Sequence, residues 1–82
     1  MKEKIEKKIK ELWERIREEI KYTDRDWKEA KKFLRNKQGG NAVVGMAFTI
    51  MHLKNIEDNL DAIGVLEGLL EDEHEKKDRK RD

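Results

Sequence analysis

The sequence predicts an all-α fold, a small helical bundle of three to four helices. Apolar residues recur at steps of three and four along most of the 82-residue chain, which is the period of one helix face. Lys and Glu, both strong helix formers, dominate a composition that is 48% charged. Within it the stretch 42–53 has no charged residue unless His52 is protonated. We therefore expect a bundle domain over 1–70 around a buried apolar central helix, and a charged, frayed C-terminal tail over 71–82.

The first predicted helix covers 2–22. Glu3 and Lys7 illustrate its i,i+4 pairs of opposite charge, with the acid first, which is the stabilising order. The apolar residues follow one helical stripe, with Trp13 widening it. They are Ile5, Ile9, Leu12, Trp13, Ile16 and Ile20. An amphipathic helix of this kind must bury its apolar stripe against another element.

The second predicted helix runs from about 24 to 37. Thr23 can cap its start, with Asp26 three residues later in the capping-box position. The apolar side chains expected to be buried are Trp27, Ala30, Phe33 and Leu34. Gly39-Gly40 then predicts the end of the helix, because a glycine adopts the left-handed conformation at low cost. Asn41 is the expected cap of the third helix.

The third predicted helix begins with the uncharged stretch 42–53. A helix that is apolar on all sides is typically buried on all sides. The stretch is too short for a membrane span, which needs roughly 20 apolar residues. A stripe of polar residues recurs within and just beyond it at steps of three or four. Its members are Thr49, His52, Asn55 and Asn59. The stripe either faces outward or forms an interior hydrogen-bonded row.

The segment 54–59, KNIEDN, leaves the helix count open. Its Asn and Asp residues are poor helix formers, which favours a turn near 55–58 and four helices in all. The alternative is a single helix from 42 to beyond 70, about 45 Å long against about 30 Å for the first helix. Such a mismatch would leave apolar surface for a second chain to cover. The residues 71–82 include no apolar side chain that could dock.

The composition excludes several catalytic chemistries. Cys and Ser are absent, so thiol and serine nucleophiles are excluded. His52 has no such nucleophile to activate and is predicted to be a structural, hydrogen-bonded histidine. Glu71 and His74 have the Glu-x-x-His spacing of di-iron bundles, but only one copy is present and its surroundings are polar. We expect no enzymatic activity, no metal and no cofactor.

Small residues and a lean core favour association. Apolar residues make up only 35% of the chain, so the core must be well placed or shared with a second chain. Glycines allow helix backbones to approach closely. The predicted interface residues are Val44, Gly45, Phe48, Met51, Gly64 and Gly68. The sequence predicts a non-catalytic interaction or scaffold module that associates with itself, as a homodimer, or with a helical protein partner.

Nucleic-acid binding is the alternative function. The second predicted helix has a basic face that could contact phosphates. Its residues are Arg25, Lys28, Lys31, Lys32, Arg35 and Lys37. The segment 1–40 has 14 Lys/Arg against 9 Asp/Glu, whereas 41–70 has one Lys against four acids. This asymmetry could attract a polyanion, or it could help two copies pack antiparallel. The net charge of only +1 makes nucleic acid the less favoured partner.

Location and origin are expectations from composition. The N-terminus alternates charges with Ile and lacks the apolar run of a signal peptide, which predicts a soluble, cytoplasmic protein that does not enter a membrane. Abundant Lys and Glu without Pro, Ser or Cys are typical of hyperthermophile proteins, including those of mobile elements, and of de novo designed helical proteins. Either origin predicts thermostability.

Overall fold

The computed structural model is a helical hairpin of two long antiparallel helices, α1 over Lys2–Arg35 and α2 over Gly39–Arg81. It describes the backbone of residues 1–81 and the side chains of residues 1–73. The hairpin is a rod of 68 × 14 × 13 Å. The all-α prediction is confirmed. The prediction of a three-to-four-helix bundle is wrong, because both predicted interruptions within the helices are continuous helix.

The first of these is at Thr23. The Thr23 hydroxyl donates a hydrogen bond to the carbonyl of Glu19, at 2.7 Å, one turn back along the same helix. A threonine that bonds to the i−4 carbonyl satisfies its hydroxyl within a continuing helix and need not act as a cap. The helices predicted over 2–22 and 24–37 are therefore one helix, α1.

The second is the segment 54–59. The Lys54 ammonium lies 3.7 Å from a carboxylate oxygen of Glu57 and 3.4 Å from one of Asp58. These i,i+3 and i,i+4 pairs support the helix where propensity is weak. Of the two alternatives, the single long helix is the one observed. The tail predicted to be frayed over 71–82 has a helical backbone through Arg81, and Asp82 lies outside the described residues.

The turn between the helices is a Schellman motif centred on Lys37. The amide of Gln38 donates to the carbonyl of Phe33 at 2.8 Å, and the amide of Lys37 donates to that of Leu34 at 3.1 Å. Lys37 has the left-handed φ of 58° that this motif requires. The glycines predicted to fill that role, Gly39 and Gly40, instead lie in the first turn of α2.

The two helices meet along a seam of alternating three- and four-residue steps, the spacing of a coiled coil. Every seam residue is buried or partly buried. On α1 the seam is Ile5, Ile9, Leu12, Ile16, Glu19, Thr23, Asp26, Ala30 and Phe33. On α2 it is Ala42, Gly45, Thr49, His52, Ile56, Asn59, Ile63, Leu66 and Leu70.

The predicted buried central helix is not buried on all sides. Within 42–53 only the small and polar seam residues face α1, while Val44, Phe48 and Ile50 stay half or more exposed. One neighbouring helix can cover only one stripe of an apolar helix. The polar row proposed from the sequence lies on the covered side, where Thr49 is buried.

Candidate interaction surfaces

A charged cluster occupies the centre of the seam. His52 of α2 lies between two carboxylates of α1: its Nδ1 is hydrogen-bonded to Oε2 of Glu19 at 2.6 Å, and its Nε2 is 3.2 Å from Oδ2 of Asp26. The three side chains are between 12% and 21% exposed. The ring of Tyr22 lies 5.5 Å from the imidazole, and Arg25 stacks over Tyr22. The cluster joins the two helices where apolar contacts are few.

Each ring nitrogen of His52 lies within hydrogen-bond distance of a carboxylate oxygen, so the histidine has a structural role that links α2 to α1. Thr49 and Asn55, which belong to the same polar stripe, are not hydrogen-bonded to His52. The Thr49 hydroxyl donates to the carbonyl of Gly45 at 2.9 Å. Among the described residues, no group of three or more His, Asp or Glu side chains is arranged so that it could hold a metal ion. His74 lies outside the described side chains.

A large apolar surface runs along one flank of the seam, on α1. Trp13, Ile20, Trp27 and Leu34 are spaced by seven residues, so they project from the same side of the helix, one position beyond the seam. Their side chains are between 43% and 53% exposed. The helical periodicity had predicted that all four belong to a buried core. The regular spacing of seven was the signal that could have identified a second stripe.

The matching stripe on α2 is Met46, Leu53 and Leu60, also spaced by seven. An open cleft between the two stripes is lined by Ile20, Trp27, Met46, Ile50 and Leu53, among others. We name the combined surface the Trp face. It consists of Trp13, Ile20, Trp27, Leu34, Met46, Leu53 and Leu60.

The Trp face is arranged in layers. Ala30 of α1 lies against Gly45 of α2. Because each residue advances about 1.5 Å along a helix axis, this contact fixes the position of every other residue along the hairpin axis, which we call its height. Trp27 then lies near the height of Met46, Ile20 near Leu53, and Trp13 near Leu60. At the next step of seven both helices have a glutamate, Glu6 and Glu67. The apolar surface therefore ends at the same height on both helices.

A smaller apolar patch lies on the other flank of the seam. Val44, Phe48 and Met51 are about half exposed and border an open cleft together with Phe33 and Glu29. Three of the predicted interface residues are therefore exposed on α2 and close together. The first half of α2 consequently has apolar side chains on both sides of the line where it meets α1.

The three glycines of the predicted interface are in different surroundings. A Cβ on Gly45 would lie 3.1 Å from the Cβ of Ala30, so Gly45 permits close approach of α1 and α2 within the chain. At Gly64 and Gly68, a Cβ would meet nothing among the described atoms within 4 Å. Both lie on the open surface of α2.

The six basic residues of the alternative function are exposed, but acidic groups are interleaved with them. Lys28 pairs with Asp24 at 2.9 Å and Arg25 with Asp26 at 3.3 Å. The Lys31 ammonium lies 5.9 Å from the centre of the Trp27 ring. Internal pairing lowers the charge available to phosphates. Nucleic-acid binding stays a prediction, and no contact in the hairpin favours it.

No protein-family model, curated protein or solved structure matches this chain. Over the residues that the structure describes, neither helix has a stretch both apolar enough and long enough to span a bilayer. The fold and the two apolar surfaces are therefore the basis for any functional assignment.

Proposed function

We propose that this chain is a non-catalytic assembly module that associates with itself through the Trp face. The supporting observation is the polarity of the hairpin near the turn. There the seam contains Glu19, Asp26 and His52, whereas Trp27 and Leu53 face outward. An isolated hairpin would place apolar groups in water and charges between its helices. A contiguous exposed apolar surface of this kind is typical of an interaction site.

The free energy gained by covering the Trp face is comparable to the free-energy cost of association. Its seven side chains are about half exposed or, for Met46, partly buried. Each has roughly 1 kcal/mol to gain from full burial, so two copies gain on the order of 10 kcal/mol. Association costs about 4–15 kcal/mol in lost freedom of motion. The gain lies within that range, so a dimer is feasible with modest help from the second apolar patch or from charge pairs.

The test is solution mass as a function of dilution, measured by light scattering and by sedimentation. The wild-type chain is expected to have at least twice the monomer mass at tens of micromolar. The double variant Ile20→Glu/Leu53→Glu is expected to be monomeric, because it places charges in the centre of the Trp face. Circular dichroism establishes whether that variant remains helical.

The matched control is Val65→Glu, since Val65 is 67% exposed on α2 outside the Trp face. This variant is expected to retain the wild-type mass. A wild-type chain that is monomeric at all concentrations would contradict self-association. Retention of the wild-type mass by Ile20→Glu/Leu53→Glu would show that a different surface is used.

A further inference from the structure

We infer that the second copy packs on the Trp face about a two-fold axis parallel to the helices, so that α1 of each copy lies over α2 of the other and both turns are at the same end. This inference rests on the proposed self-association and specifies its geometry. A two-fold interface uses the same surface on both copies. The partner is thus a second copy of this chain in a defined orientation.

Two face-to-face arrangements are possible for a hairpin. With the axis parallel to the helices, each layer of the Trp face meets the same layer of the partner copy, and α1 lies opposite α2. With the axis perpendicular to the helices, α1 lies antiparallel to α1 of the partner copy and α2 to its α2. Side-chain volume and charge distinguish the two arrangements.

Side-chain volume favours the parallel axis. It places Trp13 over Leu60, Ile20 over Leu53 and Trp27 over Met46, so each tryptophan meets a smaller side chain, and facing large and small residues interdigitate well. With the perpendicular axis, both tryptophans of each copy lie between α1 and the α1 helix of the partner copy. The other helix pair would contain only the smaller side chains of Met46, Leu53 and Leu60 from each copy. The two helix pairs would then need unequal separations.

Charge favours the same arrangement. The residues that flank the Trp face on its outer edge repeat every seven positions. On α1 they are Glu3, Lys10, Arg17, Asp24 and Lys31, with Gln38 after the end of the helix, and on α2 they are Val43, Ile50, Glu57, Gly64 and Glu71. The α1 edge therefore has a net charge of +1 and the α2 edge of −2.

The heights of these charges make the contrast specific. The parallel axis brings Arg17 level with Glu57 of the partner copy, so opposite charges meet. The perpendicular axis brings Arg17 level with Lys31 of the partner copy, so like charges meet. Charge complementarity at an interface rim selects orientation more than it adds affinity. Away from the turn the parallel axis also brings Glu3 level with Glu71 of the partner copy. The parallel axis is selected by the side-chain volumes and by the opposite net charges of the two edges.

The absence of native cysteine allows a direct test. Three single-cysteine variants of the full chain are made: Arg17→Cys, Glu57→Cys and Lys31→Cys. They are mixed in pairs and treated with a short bis-maleimide, so that every cross-link joins two chains. Asp24→Cys, which would lie near the perpendicular axis, is treated alone. The Arg17→Cys and Glu57→Cys pair is expected to cross-link at least tenfold faster than Arg17→Cys with Lys31→Cys, or than Asp24→Cys with itself.

The outcomes separate this inference from the proposed function. Preferred cross-linking of Asp24→Cys with itself, or of Arg17→Cys with Lys31→Cys, would overturn the parallel axis while self-association stands. A dimeric mass without any of these cross-links would also overturn it, by moving the interface elsewhere. A monomeric wild-type mass would instead reject self-association itself.

A charge exchange provides a second measurement that needs no cross-linker. Arg17→Glu is expected to raise the dimer Kd about threefold, the size of a rim ion pair. The double variant Arg17→Glu/Glu57→Arg restores the wild-type Kd if the two residues face each other. Failure of the double variant to restore affinity would count against this pairing.

Discussion

The two halves of the hairpin have the same backbone and opposite polarity. In the half away from the turn, Leu12, Ile16 and Ile63 form a buried cluster, and Ile9, Ile56, Ala62 and Leu66 pack against it. In the half near the turn, the seam is built mainly from small, polar and charged residues, and most large apolar residues other than Phe33 face outward. The first half resembles a self-contained coiled coil. The second resembles one half of an interface, and this difference shows that a regular helical repeat does not determine which stripe becomes the core.

The largest contrast is expected between Ile16 and Ile20, four residues apart on α1. Ile16 is 4% exposed and Ile20 is 53% exposed. Ile16→Ala should lower the free energy of unfolding by about 3 kcal/mol, since it removes a buried side chain and leaves a cavity. Ile20→Ala should instead weaken association. Urea denaturation at several protein concentrations distinguishes the two variants. Equal losses of unfolding free energy that do not depend on concentration would contradict the proposed distinction between the seam and the Trp face.

Gly45 and Gly64 provide the next contrast. A Cβ at Gly45 would lie 3.3 Å from the Cα of Ala30 as well as close to its Cβ, and backbone cannot yield as a flexible side chain can. Gly45→Ala is expected to destabilise the hairpin by about 2 kcal/mol through overpacking. Gly64→Ala should stabilise the helix by up to about 1 kcal/mol. Thermal melting at one fixed concentration measures both changes.

The opposite result at either glycine would be informative. Stabilisation by Gly45→Ala would mean that the helices can separate near the turn without loss. Destabilisation by Gly64→Ala would support the interface role that the sequence predicted for Gly64.

The charged cluster at the centre of the seam should respond to His52→Leu. The change leaves Glu19 and Asp26 without their shared partner, at an expected cost of about 1–2 kcal/mol, less than for fully buried charges because both acids retain some exposure. Replacing all three residues by Leu should recover that loss. The urea midpoints of the single and triple variants test this, and a triple variant less stable than His52→Leu would contradict it.

Lys37 tests the turn that joins the two halves. A side chain in the left-handed conformation costs roughly 1–2 kcal/mol relative to glycine. Lys37→Gly is therefore expected to stabilise the hairpin by about 1 kcal/mol. Lys37→Ala, which keeps the Cβ, is the control and should change little. Equal melting temperatures for the two variants would show that the turn is not under strain.

The smallest effect is expected at Lys54, on the surface between the halves. The carboxylates of Asp58 and then Glu57 raise the pKa of Lys54 above its ordinary 10.5. A raised lysine pKa adds stability that is complete below 10.5 and is lost as the pH rises through the folded value. Asp58→Asn should therefore lower thermal stability slightly at neutral pH, with the difference shrinking in alkali. High salt should also shrink it, and an undiminished difference in high salt would exclude charge pairing as its cause.

The periodic stripes of apolar residues could be predicted from the sequence. Which stripe forms the seam and which stays exposed could not. Steps of three and four identified helical residues from Ile5 to Leu70, and the apolar fraction of 35% indicated a lean core. The prediction merged the seam and the Trp stripe into one core, because both are periodic and both contain large apolar residues. Gly39-Gly40 was given the role of Lys37, since a hydrogen-bond pattern at a turn depends on where the next helix docks.

Local chemistry in the sequence determined that this chain is helical, that Gln38 is close to a turn, and that its acids, bases and apolar residues repeat every seven positions. Those properties arise from interactions within a few residues of one another. Tertiary structure alone decided that His52 meets Glu19 and Asp26 across the seam. It also decided that Trp13, Ile20 and Trp27 remain outside. The reason is geometric: only small residues at Ala30, Ala42 and Gly45 allow close helix contact, and that contact selects which stripe is covered.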